Sequence, residues 1–197
     1  MTRGIRHLCA VCAVLALCCS PLAAGKPAKF QPLGQHPGGS WSVAYGVSQD
    51  GQVVVGYGFN EEGPREAFRW TKKEGIVGLG FLNPYVGLRF SLAMDVSADG
   101  SVIVGTSRYN YWPTAIEGFR WTAEEGMVGL GWLAYPSGLP NSSQAAGISF
   151  DGSVIVGMSG APFSYPAAVK WTADGEMAIL EEVPGAYWAS RAAAVSP

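Results

Sequence analysis

The chain has 197 residues, with 13 Lys and Arg against 15 Asp and Glu, 27 Gly and 48% hydrophobic residues. Charged residues reach only 14%, against roughly 25% in ordinary soluble domains. Few charges, many Gly and many aromatics exclude a helical bundle, and the absence of a basic stripe points away from nucleic acid.

The first segment reads as an export signal. Arg3 and Arg6 give a basic start, residues 8–19 are an unbroken apolar run, and Pro21-Leu22-Ala23-Ala24 offers small residues for cleavage after Ala24. That order is the one a secretory signal peptide uses. The run is shorter than the ~20 apolar residues a membrane span needs, so no span is expected after signal removal. Cys9, Cys12, Cys18 and Cys19 all lie in this segment. The exported chain is therefore expected to lack thiols and disulfides and to be held by its core.

The remainder repeats. VSQDGQVVVG (47–56) recurs as VSADGSVIVG (96–105) and ISFDGSVIVG (148–157). AFRWT, GFRWT and AVKWT place Trp70, Trp121 and Trp171 in step. IVGLG (76–80) recurs as MVGLG (127–131) and weakly as MAIL (177–180), and S-x-A-x-x-[V/I]-S starts at Ser42, Ser91, Ser143 and Ser190. The common spacing is about 50 residues.

Each phrase reads as a strand. Asp50-Gly51, Asp99-Gly100 and Asp151-Gly152 between apolar runs predict two-residue hairpin turns. Val102-Ile103-Val104 is apolar on both faces, as for a strand covered on both sides. In GFRWT, Phe119 and Trp121 share one face and Arg120 and Thr122 the other. Four short antiparallel strands in about 50 residues is the blade pattern of kelch-type propellers. The expected fold is all-β, a partial or open β-propeller; a β-solenoid fits less well, since its turns are shorter.

The expected divisions are 1–24 signal peptide, 25–41 linker with the last strand of a preceding repeat (30–34, FQPLG), 42–90 repeat one, 91–142 repeat two, 143–189 repeat three, and 190–197 the start of a truncated repeat four. These ends leave three possibilities open: a truncated product, closure by association, or an open arc whose edge strands invite self-association.

Taken together, A-x-x-V-S-x-D-G-S-V-I-V-G, [A/G]-F-R-W-T and E-G-M-V-G-L-G resemble the HAF family of bacterial extracellular repeats, over residues 30–197. The resemblance implies a secreted or surface-exposed bacterial protein and transfers no catalytic residue. Repeat three departs from the pattern, with Val169 and Lys170 for Phe and Arg and with Gly175 one position early.

Chemistry-bearing residues are sparse. His7 lies in the signal, which leaves His36 in a Pro/Gly-rich stretch and reads it as an exposed loop residue. One His and no remaining Cys do not make a zinc site. A single Asp per repeat cannot give calcium its six to eight oxygens. Glu61/Glu62, Glu124/Glu125 and Glu181/Glu182 read as solvated turn residues rather than glycosidase carboxylates. No cofactor and no metal are expected, and the repeated Trp residues belong to the core. The non-repeated aromatics Phe59, Tyr109, Tyr111, Trp112, Phe163 and Tyr165 sit between the second and third strands of their repeats. Loops on a rigid scaffold carry binding functions, and exposed rings stack on sugars or anchor proteins. The expected function is a non-enzymatic binding or adhesion module of an exported protein. A passenger fragment of a larger surface protein and a hydrolase with a channel site are the alternatives.

Overall fold

A computed structural model describes residues 29–85, 87–110, 115–134, 141–160, 166–180 and 190–195. The chain divides into Met1–Pro32 and Leu33–Pro197. In the first, residues 29–32 are described and carry no regular secondary structure. The expected signal peptide lies outside the described residues.

The second unit holds strands β1 (Ser42–Val47), β2 (Val53–Phe59), β3 (Arg65–Thr71), β4 (Gly75–Gly78), β5 (Ser91–Val96), β6 (Ile103–Asn110), β7 (Ala115–Thr122), β8 (Gly126–Gly129), β9 (Ser142–Ile148), β10 (Val154–Gly160), β11 (Ala167–Thr172) and β12 (Met177–Ile179). They form three antiparallel sheets, β1-β2-β3-β4, β5-β6-β7-β8 and β9-β10-β11-β12, each a simple meander. Among the described residues there is no helix. These are three stacked blades of the propeller type.

Alternation of side chains along a strand explains the stacking. Val53, Val55, Ala67 and Leu79 of blade one pack against Ala93, Val96, Ile103 and Phe119 of blade two, with Trp121 and Met127 alongside. Val102 and Val104 then turn the other way, onto Ala145, Ile148, Ile155, Val169 and Trp171 of blade three. One strand thus feeds two cores, which is why Val-Ile-Val is apolar on both faces. Burying each such side chain contributes roughly 1.5–3 kcal/mol. Trp70 and Trp171 are buried and Trp121 is half-buried against the first core.

The glycine that ends each Val-x-Val-Gly phrase has a steric cause. A Cβ on Gly105 would lie 2.0 Å from the Leu92 carbonyl oxygen, and the equivalents at Gly56 and Gly157 are 1.9 Å from Val43 and Gln144. Each faces the irregularity where the first strand shifts register, as between Ala93 and Asp95.

The Asp-Gly turn differs from the two-residue hairpin expected of it. Gly100 N–H donates to Ser97 O at 3.0 Å, so Ala98 and Asp99 are the central residues and Gly100 follows with φ +74°. Side chains widen the loop. Ser97 Oγ donates to Asp99 Oδ1 and accepts from Val102 N–H, and Asp99 Oδ1 also takes Ser101 N–H. Asp50-Gly51 and Asp151-Gly152 repeat this pattern.

A serine staples each blade to the next. Ala67 N–H donates to Ser91 Oγ, Gly118 N–H to Ser143 Oγ and Ala168 N–H to Ser190 Oγ, at 2.9, 3.0 and 2.8 Å. Ser91 and Ser143 pass their own protons to the Gly80 and Gly131 carbonyls. Ser42 donates likewise to Gly34.

The expected strands at 30–34 and 192–196 are corrected, because residues 30–34 and 192–195 form no ladder and Ser196 lies outside the described residues. A strand exists only through a ladder of paired neighbours; the second tract keeps a single backbone bond, from Ala192 N–H to Gly157 O at 3.2 Å. They nonetheless hold repeat positions. Leu33 packs on Phe68, Trp70 and Ile76, as Leu130 packs beside Trp171 and Met177. Ser190 makes the blade staple.

Candidate functional site: the loop end of the blades

The two ends of the blades differ. At one end the Asp-Gly turns lie side by side, with Gln49 N–H donating to Ala98 O and Ala98 N–H to Phe150 O. At the other end lie the loops between second and third strands and the crossovers between blades. This second end carries the residues singled out in the sequence.

Phe59 ends β2 and is half-buried. Trp41 stands edge-on to it at 5.0 Å and edge-on to Tyr57 at 5.4 Å, and Tyr57 stacks on Tyr45 at 5.7 Å. The rings form a ladder along blade one, so Phe59 is as much a packing residue as a surface one. Tyr109, near the end of β6, is 45% exposed and rests edge-on against Trp132 of the following crossover at 5.3 Å. Phe59 and Tyr109 thus occupy separate aromatic groups. Tyr111, Trp112, Phe163 and Tyr165 lie outside the described residues, as do Glu181 and Glu182.

Among the described residues, the crossover between blades one and two presents the most exposed apolar groups at this end. Tyr85 is 95% exposed and Leu88 is 59% exposed. Their loop is tied down. Asn83 Nδ2 donates to Tyr109 O, Asn83 Oδ1 accepts Tyr85 N–H, and Arg89 donates to Pro84 O. Arg89 also pairs with Glu62 and lies 5.2 Å above the Phe81 ring.

Two carboxylates escaped the sequence reading. Glu66 on β3 and Glu117 on β7 occupy the same repeat position. Glu66 Oε1 accepts Gly80 N–H at 3.0 Å and Glu117 Oε1 accepts Gly131 N–H at 2.9 Å. Each fills the space beside a glycine: a Cβ on Gly78 or Gly129 would lie 2.4 or 2.3 Å from that oxygen. In blade three the pair becomes Ala167 and Ile179. Burial pushes the Glu117 carboxyl above its ordinary value, and the bond from Gly131 opposes this. The turn aspartates move the other way. The Ser149 hydroxyl first, then the Ser153 N–H and hydroxyl, hold Asp151 down to about 2. Asp50 and Asp99 are lowered by the equivalent serines first.

His36 is a correction. The sequence reads it as an exposed loop residue, yet it is 7% exposed. Gly34-Gln35-His36 aligns with Gly80-Phe81-Leu82 and Gly131-Trp132-Leu133, so the imidazole stands where the other crossovers place a core leucine. That alignment was available in the sequence. Its Nε2 lies 3.5 Å from Glu66 Oε2, and Asn60 Nδ2 donates to the same oxygen at 2.7 Å. His36, Pro37, Asn60, Glu61, Glu62, Glu66 and Phe81 line an open cavity of about 360 Å³. Glu61 and Glu62, like Glu124 and Glu125, are exposed.

No family model and no curated protein matches the chain. Solved structures that resemble it include two TolB structures. One is TolB from Acinetobacter baumannii, at 18% identity and a TM-score of 0.45, over 71% of this chain and 31% of that one. The other is a protein described as TolB from Agrobacterium tumefaciens, at 14% identity and a TM-score of 0.49, over 75% of this chain and 50% of that one. This chain spans half or less of their lengths. The blade assignment rests on its own strand order and stacking. Among the described residues no helix is long and apolar enough to cross a membrane.

Proposed function

We propose that the chain is a non-enzymatic binding module of an exported bacterial protein, engaging a protein or glycan surface through the loop end of blades one and two. The observation that carries this reading is the presentation to solvent of Tyr85 and Leu88, from a loop fixed by hydrogen bonds, beside Tyr109 at the end of β6. Exposed rings on a braced loop lose little freedom on binding, which favours affinity. The basic, apolar and small-residue order of residues 1–24 supports export, and the repeat phrases support a bacterial extracellular setting.

The test compares the parent chain with Tyr85→Ser, Tyr109→Ser and the double variant. Retention on a glycan array and capture of envelope proteins are measured beside thermal melting. The double variant is expected to lose binding at least tenfold with its melting unchanged. Equal retention by parent and double variant overturns the assignment of this surface.

A further inference from the structure

We infer that the His36–Glu66 cavity binds an organic cation, a guanidinium or primary ammonium head, independently of the exposed rim at Tyr85 and Tyr109. The argument starts from the difference between repeats. Two crossovers pack a half-buried leucine against a core at this position and the third buries a histidine. Among the described residues neither buried ring nitrogen of His36 has a hydrogen-bond partner, the nearest carboxylate oxygen being Glu66 Oε2, 3.5 Å from Nε2. Leaving such a group unsatisfied is costly, so a guest that supplies a proton donor is favoured there.

Charge selects the guest. Glu61, Glu62 and Glu66 line the cavity beside His36, and no Lys or Arg does. Arg89 engages Glu62 from outside the lining, which leaves Glu61 and Glu66 to face the space. Asn60 steadies Glu66 and accepts Glu62 N–H through Oδ1. Spacing selects against a metal ion: among the described residues no three His, Cys, Asp or Glu side chains converge closely enough to hold one. Acceptors spread around about 360 Å³ suit a cation with several N–H groups instead.

The site is preformed. Gly39 N–H closes a turn onto His36 O at 2.8 Å. Gly38, at φ +72°, lies so close to Glu61 that a Cβ would come within 2.4 Å of that side chain. The turn therefore sits directly on the β2–β3 loop, and the His36 ring does not need to be ordered by the guest.

The test follows the His36 ring signals by NMR during titration with agmatine, putrescine and the blocked peptide acetyl-Gly-Arg-Gly-amide. His36→Leu assigns the signals and installs the residue the other crossovers carry. Saturable shifts are expected, weakening at least tenfold in Glu66→Gln and weakening again as salt is raised. Binding of the free amines identifies a small-molecule guest, and binding of the peptide alone identifies a partner's side chain; either supports the site. If His36→Leu fails to fold, Glu66→Gln and His36→Gln give the same comparison. No shift with any of the three probes overturns the inference. So does undiminished binding in Glu66→Gln, or a response to zinc or methyl glucoside alone.

Discussion

Ser91 Oγ receives the Ala67 N–H of the preceding blade at 2.9 Å and passes its own proton to the Gly80 carbonyl at 2.7 Å. The serine is fully buried, so neither backbone group has water as a substitute. Ser91→Ala would orphan a donor and an acceptor together. The expected loss is about 2–4 kcal/mol from two unsatisfied buried groups, read as a lower urea midpoint at constant slope. Ser91→Thr keeps the hydroxyl and should recover part of it. An alanine variant as stable as the parent would remove the staple from the account of blade cohesion.

Val96 and Val47 occupy the same repeat position, and only their surroundings differ. Val96 is 7% exposed in the first core, whereas Val47 is 59% exposed on the first blade. Val96→Ala is expected to cost about 1–3 kcal/mol through lost burial and a cavity, and Val47→Ala less than about 0.5. Equal costs, measured by denaturant unfolding, would show that something covers Val47 in solution.

The Glu117–Gly129 pair is expected to couple strongly. Gly129→Ile alone drives a side chain into the Glu117 carboxylate, since even a Cβ would come within 2.3 Å of Oε1. Glu117→Ala with Gly129→Ile recreates the Ala167 and Ile179 pair of blade three. A double-mutant cycle should give a favourable coupling of about 1–3 kcal/mol. Additive effects would mean that blade three solves a different packing problem.

Asp50, Asp99 and Asp151 on one side and Glu117 on the other should give stability opposite dependences on pH. The folded-state carboxyls of Asp50, Asp99 and Asp151 are lowered. Their stabilisation is present above the ordinary aspartate range and is lost as pH falls toward about 2, the value for Asp151. Glu117 is raised, so its contribution has the opposite sign: stability falls as pH rises from the ordinary glutamate range through the raised value. Glu117→Gln should flatten that upper limb, and Asp151→Asn should flatten part of the acid limb. Denaturant midpoints measured across pH check both, and unchanged limbs would contradict the assigned shifts.

Much of the architecture was legible because the repeat exposes it. Val102-Ile103-Val104 announces two cores, and Phe119 with Trp121 announces a shared face. The turns were misjudged because Ser97 and Asp99 rebuild the loop with side-chain hydrogen bonds, which the Asp-Gly pair alone does not reveal. The end tracts were read as strands from their residues, but strand formation requires a neighbour that those residues do not encode. In the candidate site, Phe59 and Tyr109 were found as aromatics that break the repeat. His36 was missed because its Pro/Gly setting suggests solvent, while its register against Leu82 and Leu133 says core. Glu66 and Glu117 were missed because a charged residue next to a strand of apolar ones reads as outward-facing until the glycine across the sheet is considered.

The serine staples place each seam one strand away from where the phrases begin. Ser107 in blade two takes the N–H of Leu82 and Ser159 in blade three that of Leu133, each from the crossover that enters its blade. The two junctions between the described blades are therefore written in the same few atoms, so that blade two carries a matching half-junction at each end. Such a chain can gain or lose a period in its gene and still present identical surfaces to one another at the new join. Blade number is a variable this design leaves free, while the loop-end residues that break the repeat are where one copy becomes distinguishable from the next.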